Sequence, residues 1–518
     1  MERTLNIRYT SDTHGYLYPT SYADSSARPM GLMRLAAAYP HDGNTLILDG
    51  GDTIQGSPLT NCYARLTGAE RAACLTDGTY GSHPIAAMMN LAGYQYVTLG
   101  NHDFNYGVDG LAAYLNDLRA QCLCCNIRDR AGELPIAPYA VHTLENGLRV
   151  GLVGACTAHV AVWENPRTVG QLEIEPPVPA CARALAAVSP QCDVTVLLYH
   201  GGYECDLATG ARLTDSTENE ACRICHELDF DLVLTGHQHM RVDGLRIGHS
   251  YTVQPAYRAP HACAVSVTVH DDGGKAFASR ILPADHAPLA KAAALLAPLE
   301  RRVQTWLDTP AGRLDIPLTG GDHLTQAVSG SPLANFINTV QLAASGAQIS
   351  ACALPNEFKG LPTTVTVRDV VSTYIYTNTL VVLRLDRALL KRYMERSAMY
   401  FAAGEDGALR ISDAFLLPKV EHYNYDYFSG VDYTIDARRP TGDRVTSIVL
   451  DGHEMRGDES VTVCINSYRY SGTGGYAFLA GLPVEADIQV DVADAMIEYI
   501  VAHPDIRVDT HRYCTVVG

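Results

Sequence analysis

Seven side chains able to donate to a metal ion, Asp12, His14, Asp52, Asn101, His200, His237 and His239, fall in five short clusters within the first 240 residues. The clusters are Ser11-Asp12-Thr13-His14, Asp49-Gly50-Gly51-Asp52, Gly100-Asn101-His102-Asp103, Tyr199-His200-Gly201-Gly202 and Gly236-His237-Gln238-His239. A two-metal hydrolase needs cations about 3.5–4 Å apart, a bridging carboxylate, and a metal-bound hydroxide formed at neutral pH. Asp52 suits the bridge, because the preceding glycines let the backbone pass close to the ions. The mixed nitrogen and oxygen donors favour Mn, Zn, Fe or Co over Ca and Mg. Two divalent cations against two carboxylates leave a local charge of about +2, attractive to phosphate. His102, next to Asn101, is placed to stabilise developing charge or to protonate a leaving oxygen. His41, His83, His142, His159, His323 and His422 stand in no comparable cluster and read as structural or surface residues.

Each cluster directly follows an apolar run: Leu46-Ile47-Leu48, Tyr96-Val97-Thr98-Leu99 and Val194-Thr195-Val196-Leu197-Leu198 among them. Short, nearly continuous apolar runs between helical stretches suit central strands of a layered α/β domain. Ligands in such sheets bind beyond the carboxyl ends of the strands, where all five clusters fall. A lone histidine after a strand is usually a cap or hydrogen-bonding residue, so the reading rests on five clusters in order. A helical run from Ala287 to Leu307 separates this half from a β-rich remainder with the character of an α+β domain. The expected divisions are 1–285, a linking helix at 286–309, and 310–518.

The chain has 518 residues, 47% hydrophobic and 19% charged, with a net charge of −18. That length exceeds one core, and that charge excludes general binding to polymeric nucleic acid. An anionic substrate would have to be drawn in by local charge. No apolar stretch is long enough for a transmembrane helix. The N-terminus enters its first strand at once without the regions of a secretory signal. The 15 cysteines, several within apolar runs, read as unpaired buried thiols of a reducing, cytoplasmic compartment, export applying if a leader was trimmed. A zinc site from Cys122, Cys124, Cys222 and Cys225 is the sharper alternative, but Cys222 and Cys225 form an ordinary i,i+3 helical pair.

With these residues assembled, the N-terminal half resembles the calcineurin-like metallophosphoesterases, whose motifs are DxH, GD, GNHD/E, H and GHxH. The second half resembles the C-terminal substrate domain of bacterial 5′-nucleotidases and 2′,3′-cyclic-nucleotide 2′-phosphodiesterase/3′-nucleotidases. The resemblance implies a four-layer α/β/β/α catalytic domain joined by the linking helix to an α+β substrate-binding domain. It further implies one metal held by Asp12, His14, Asp52 and His239, and another by Asp52, Asn101, His200 and His237.

Asn105 stands where many 5′-nucleotidases carry an aspartate that orients the catalytic histidine. This departure, the segment Gly51–Leu59 and the segment Tyr374–Leu380 with Asn378 resemble the cyclic-phosphodiesterase branch. Asn105 can hydrogen-bond His102 but cannot stabilise an imidazolium as a carboxylate would. The family stacks its nucleobase between two aromatic rings. The resemblance points to Tyr425 and Tyr468, with Tyr423 a competitor on the same strand face. A Gly-Gly-x-Arg turn is replaced by Leu354-Pro355-Asn356-Glu357-Phe358-Lys359, so Lys359 supplies a point charge without arginine's fork.

The expected function is hydrolysis of 2′,3′-cyclic nucleotides and 3′-nucleotides by a metal-bound hydroxide. A 5′-nucleotidase or nucleoside-diphosphate-sugar (UDP-sugar) hydrolase on the same scaffold is the alternative, and a non-catalytic nucleotide-binding or adhesion protein is the alternative of another class.

Overall fold

Strand Val194–His200 sends Val194, Val196 and Leu198 into one buried cluster and Leu197 and Tyr199 into another. Successive side chains of a strand point to opposite faces, so a strand buried on both sides needs apolar residues at nearly every position. The structure, a computed structural model, describes residues 2–518 except 165, 214–215, 320, 377, 405–407, 418, 489 and 504. It divides into two compact units, Met1–Gln304 and Thr305–Gly518.

The first unit contains a seven-stranded and a six-stranded sheet. Leu5, Ile7, Leu46 and Leu48 of the first pack with Val150, Leu152, Val196 and Leu234 of the second, so the sheets lie face to face. The helices Pro177–Val188 and Ala221–Glu227 cover the outer face of the second sheet. The buried helix Pro84–Ala92 and the helix Gly107–Asp117, which buries Leu111, Tyr114 and Leu115, connect successive parallel strands of the first sheet. With the inner face filled by the other sheet, these crossovers occupy the outer one.

Strands Arg3–Thr10, Thr45–Asp49 and Tyr96–Val97 run parallel, as do Arg149–Cys156, Val194–His200 and Leu232–Thr235. Their carboxyl ends release the five clusters. The two edges are stitched together there: Tyr9 Oη donates to the Thr235 carbonyl at 3.1 Å, and the His237 amide lies 3.0 Å from both Asp12 carboxylate oxygens.

The helix Ala290–Leu307 follows. The second unit has a five-stranded sheet, smaller sheets, and helices including Pro332–Ser345, Arg387–Ala398 and Val492–Ala502 around its own core. Among the described residues no helix is long and apolar enough to cross a membrane.

Cys205 and Cys222 form a disulfide, which corrects the expectation that all cysteines are unpaired. It also removes Cys222 from any four-cysteine zinc site. The remaining 13 cysteines are free and mostly buried.

Candidate metal centre

Asp12, His14, Asp52, His237 and His239 all adopt left-handed backbone, with φ between 48° and 70°. For residues with a Cβ this conformation is uncommon and costs energy, and it concentrates where the surrounding structure enforces a functional geometry. The loops enforce it by cross-bonding. The Asp12 amide donates to the Gly51 carbonyl at 2.9 Å and the His14 amide to the Asp52 carbonyl at 2.8 Å. Gly51, at φ 87°, lies so close to Leu99 and Gly100 that a Cβ there would clash with their backbone.

The buried Asp103 carboxylate fixes the bridge-forming loop by accepting from the amides of Gly100, Asp52, Thr53 and Ile54 at 2.8–3.0 Å. Asp49 does similar service below, accepting from Thr10 Oγ1 at 2.6 Å, Thr53 Oγ1 at 2.5 Å and the Gly51 amide at 3.0 Å. Both anchors were within the clusters, but residue type does not distinguish a ligand from a carboxylate that holds the loop.

Two groups of donors result, Asp12/His14/His239 and Asp52/His200/His237. In the first, His14 Nε2 lies 3.2 Å from His239 Nε2, and His239 Nε2 lies 3.5 Å from Asp12 Oδ1. In the second, His200 Nε2 lies 3.2 Å from Asp52 Oδ2, and His237 Nδ1 lies 2.9 Å from Asn101 Oδ1. Asp52 Oδ2 is also 4.0 Å from His14 Nε2, so its carboxylate stands between the groups. All seven side chains singled out from the sequence are therefore brought to one place.

These residues fit a pair of cations. His14 Nδ1 faces the Gln55 carbonyl at 3.0 Å and His200 Nδ1 the Gly50 carbonyl at 2.7 Å. Each carbonyl accepts a hydrogen bond from Nδ1–H, which turns Nε2 inward as the nitrogen available to a cation. His200 Nε2 is fully buried and makes no hydrogen bond, although it lies 3.2 Å from Asp52 Oδ2. A buried nitrogen without a hydrogen bond beside a carboxylate is the environment a cation satisfies.

Burial pushes His14 down to about 4, which keeps it neutral and able to ligate. Burial also opposes charge on His200, but the Asp52 carboxylate outweighs it and lifts the imidazole to about 10. For Asp52 burial likewise opposes ionisation, and His200 and His102 overcome it, holding the carboxyl well below its ordinary range. Burial raises Asp12, with the Asp52 charge adding to it.

His102 borders this centre. Its amide donates to Asp52 Oδ1 at 2.7 Å, and its Nδ1 lies 2.8 Å from Asn105 Oδ1. Four neighbours were not singled out from the sequence. Glu218 Oε1 sits 2.9 Å from His237 Nε2, Trp163 stacks on the His237 ring at 5.4 Å, and Tyr257 stacks on His239 at 4.3 Å. The fourth, Glu164, accepts from the Asn105 amide. None lies in a metal-type spacing: Trp163 ends a short helix, Glu164 follows it, and Glu218 and Tyr257 stand in loops. His159, read as structural, packs on Trp163 at 5.3 Å and so lines the same neighbourhood.

The base-stacking expectation needs correction. Tyr425 is 2% exposed and packs against Tyr400, Phe401 and Tyr427, so neither ring face is available to a nucleobase. Tyr423 and Tyr468 are half-buried, with ring centroids 6.5 Å apart and planes inclined at 73°. Lys359 Nζ pairs with Asp369 Oδ1 at 3.0 Å. Asn378 Nδ2 lies 3.5 Å from Tyr374 Oη, and neighbouring Thr377 is outside the described residues.

Residues 5–241 match the calcineurin-like phosphoesterase family, and residues 310–481 match the 5′-nucleotidase C-terminal domain family. The first stretch is thus a calcineurin-like phosphoesterase domain and the second a 5′-nucleotidase C-terminal domain, and the chain is a phosphoester hydrolase. It is 22% identical to the trifunctional nucleotide phosphoesterase protein YfkN of Bacillus subtilis, over 97% of this chain but 38% of that protein. It is 23% identical to the 2′,3′-cyclic-nucleotide 2′-phosphodiesterase/3′-nucleotidase of Salmonella typhimurium, over 91% of this chain and 82% of the relative. A candidate 5′-nucleotidase from Staphylococcus aureus, solved with α-ketoglutarate, superposes with a TM-score of 0.89 at 29% identity, covering 99% of this chain and 100% of its own.

Proposed function

We propose that the protein hydrolyses 2′,3′-cyclic nucleotides and 3′-nucleotides, using two divalent cations of the Mn, Zn, Fe or Co type. The observation that carries this reading is the convergence of the two donor groups on Asp52 beside His102. One cation would be held by Asp12, His14, Asp52 and His239, and the other by Asp52, Asn101, His200 and His237. Bound there, the cations would supply an activated water and neutralise phosphate charge. The chain's own part is to hold the donors rigid through the Asp49 and Asp103 anchors and to orient His102 toward the departing ribose oxygen. Asn105 in place of an aspartate supports the cyclic-phosphodiesterase branch, as does the relation to the Salmonella protein.

In the second unit, Tyr423 and Tyr468 take the role of base-stacking pair, with Lys359 and Asn378 as polar contacts. At an inclination of 73° one ring must turn to sandwich a base. Stacking is tolerant of base identity, which suits an enzyme acting on several nucleotides. The linking function assigned to residues 286–309 belongs to the same proposal.

Turnover of 2′,3′-cyclic AMP, 3′-AMP and 5′-AMP, measured side by side with Mn added, tests the reading. The expected order places the first two above 5′-AMP. A clear preference for 5′-AMP selects a 5′-nucleotidase instead, and metal-loaded protein inert toward every phosphoester points to a non-catalytic nucleotide binder.

A further inference from the structure

The asparagine that replaces the usual orienting aspartate is not alone: its amide nitrogen donates to Oε1 of Glu164, 59 residues further along the chain. We infer that Glu164 is a positioning residue that fixes the orientation and tautomer of His102 through Asn105. The inference rests on the phosphoesterase reading above and names a further residue of that same site.

The argument is one of donors and acceptors. An ionised carboxylate can only accept hydrogen bonds, so the Asn105 group facing Glu164 must be the NH2. The Asn105 oxygen then faces His102, 2.8 Å from Nδ1. That oxygen can only accept, so Nδ1 carries a proton whether the ring is neutral or cationic, and Nε2 is the nitrogen that takes up a proton from solvent and passes it to the leaving oxygen. Without Glu164 the amide could turn over, present NH2 to Nδ1 and move the His102 proton to Nε2. An aspartate would impose the Nδ1–H tautomer directly; here a neutral amide imposes it because a carboxylate stands behind it. Glu164 is itself held in place, since it follows the short helix Val160–Trp163, whose Trp163 ring stacks on His237 at 5.4 Å.

The test compares wild type, Glu164→Ala, Asn105→Asp and the double variant Asn105→Asp/Glu164→Gln, each with metal content measured. Glu164→Ala is expected to lower kcat toward 3′-AMP about tenfold, part of the ~10²–10⁴ that a positioned acid–base group supplies. Toward p-nitrophenyl phosphate, whose leaving group needs no proton, the loss should stay under about twofold, with metal content unchanged. In metal-free protein, histidine-selective ¹⁵N spectra should show His102 protonated at Nδ1 in wild type and shifted toward the other tautomer in Glu164→Ala.

Asn105→Asp alone sets two carboxylates face to face and should lose activity, whereas the double variant should recover to within about threefold of wild type. Equal losses on both substrates, loss of metal, an unchanged ¹⁵N spectrum, or full activity of Asn105→Asp with Glu164 retained would overturn the inference. Wild-type protein inert on both substrates when metal-loaded would overturn the phosphoesterase reading itself, an outcome visible before any variant is compared.

Discussion

Five of the seven donor residues sit in left-handed backbone, a cost that pattern-reading does not see because it is set by bonds between loops distant in the chain. What was legible at the residue scale was chemistry: Asp, His and Asn at strand ends announce themselves by type and position. The base-stacking pair was less legible. Tyr423 and Tyr425 look equivalent if the segment is a strand, since alternate residues share a face, but His422–Asn424 is a short 3-10 turn and the strand begins at Asp426. Alternation does not apply there, and Tyr425 turns into the core. Glu218 was invisible for another reason: it reaches His237 from a loop with no motif. Its carboxylate 2.9 Å from Nε2 holds His237 with Nδ1 facing Asn101. Partners of this kind are worth roughly 10- to 100-fold in metal affinity. Glu218→Ala should therefore weaken one of two bound cations by that factor and leave the other, giving a loss near one equivalent when elemental analysis follows dialysis at limiting metal. Loss of both cations together would show that Glu218 supports the whole loop edge and not His237 in particular.

At the scale of elements, central strands were readable because burial on both faces demands continuous apolar runs, and the helices between them followed from spacing. The Cys205–Cys222 bridge was not, because one cysteine lies in a loop and the other in the helix Ala221–Glu227, 17 positions further along the chain. Nothing in that spacing separates a bridge from two buried thiols. The helix Pro84–Ala92 offers a test of how burial governs pH response. His83 at its N-terminus packs on Tyr63 and Tyr114, its Nδ1 makes no hydrogen bond, and burial pushes it from 6.5 down to about 3. Because the folded value lies below the unfolded one, the unfolded chain binds the extra proton between those values. The neutral imidazole therefore costs nothing above pH 6.5, and stability drains away as pH falls toward 3, by up to about 1.4 kcal/mol per pH unit. His83→Phe should match wild type in urea unfolding at pH 7.5 and exceed it at pH 5 by roughly 1–2 kcal/mol. An offset that stays constant across pH would contradict this account.

For the whole molecule, a net charge of −18 coexists with a centre built to gather cations, so the overall charge speaks to solubility and the local charge to substrate. The two units have separate hydrophobic cores, one drawing on Leu5 to Val269 and the other on Leu314 to Cys514. Every candidate metal donor belongs to the first unit, while the proposed base-stacking tyrosines belong to the second. A cation that binds only the folded form stabilises that form by RT ln(1 + [L]/Kd), about 2.7 kcal/mol at a hundredfold excess over Kd and about 4.1 at a thousandfold. If each core unfolds as its own cooperative unit, chelation must act on one transition alone. Calorimetry with Mn and then with excess EDTA should show the transition of residues 1–304 falling in temperature while that of residues 305–518 stays in place. Identifying the transitions requires a marker in each core, and Leu198→Ala and Leu383→Ala provide one, both positions being fully buried. Joint movement of both transitions on chelation would mean that the units fold as one, and a chelator with no effect on either would leave the donor cluster without the cations its geometry calls for.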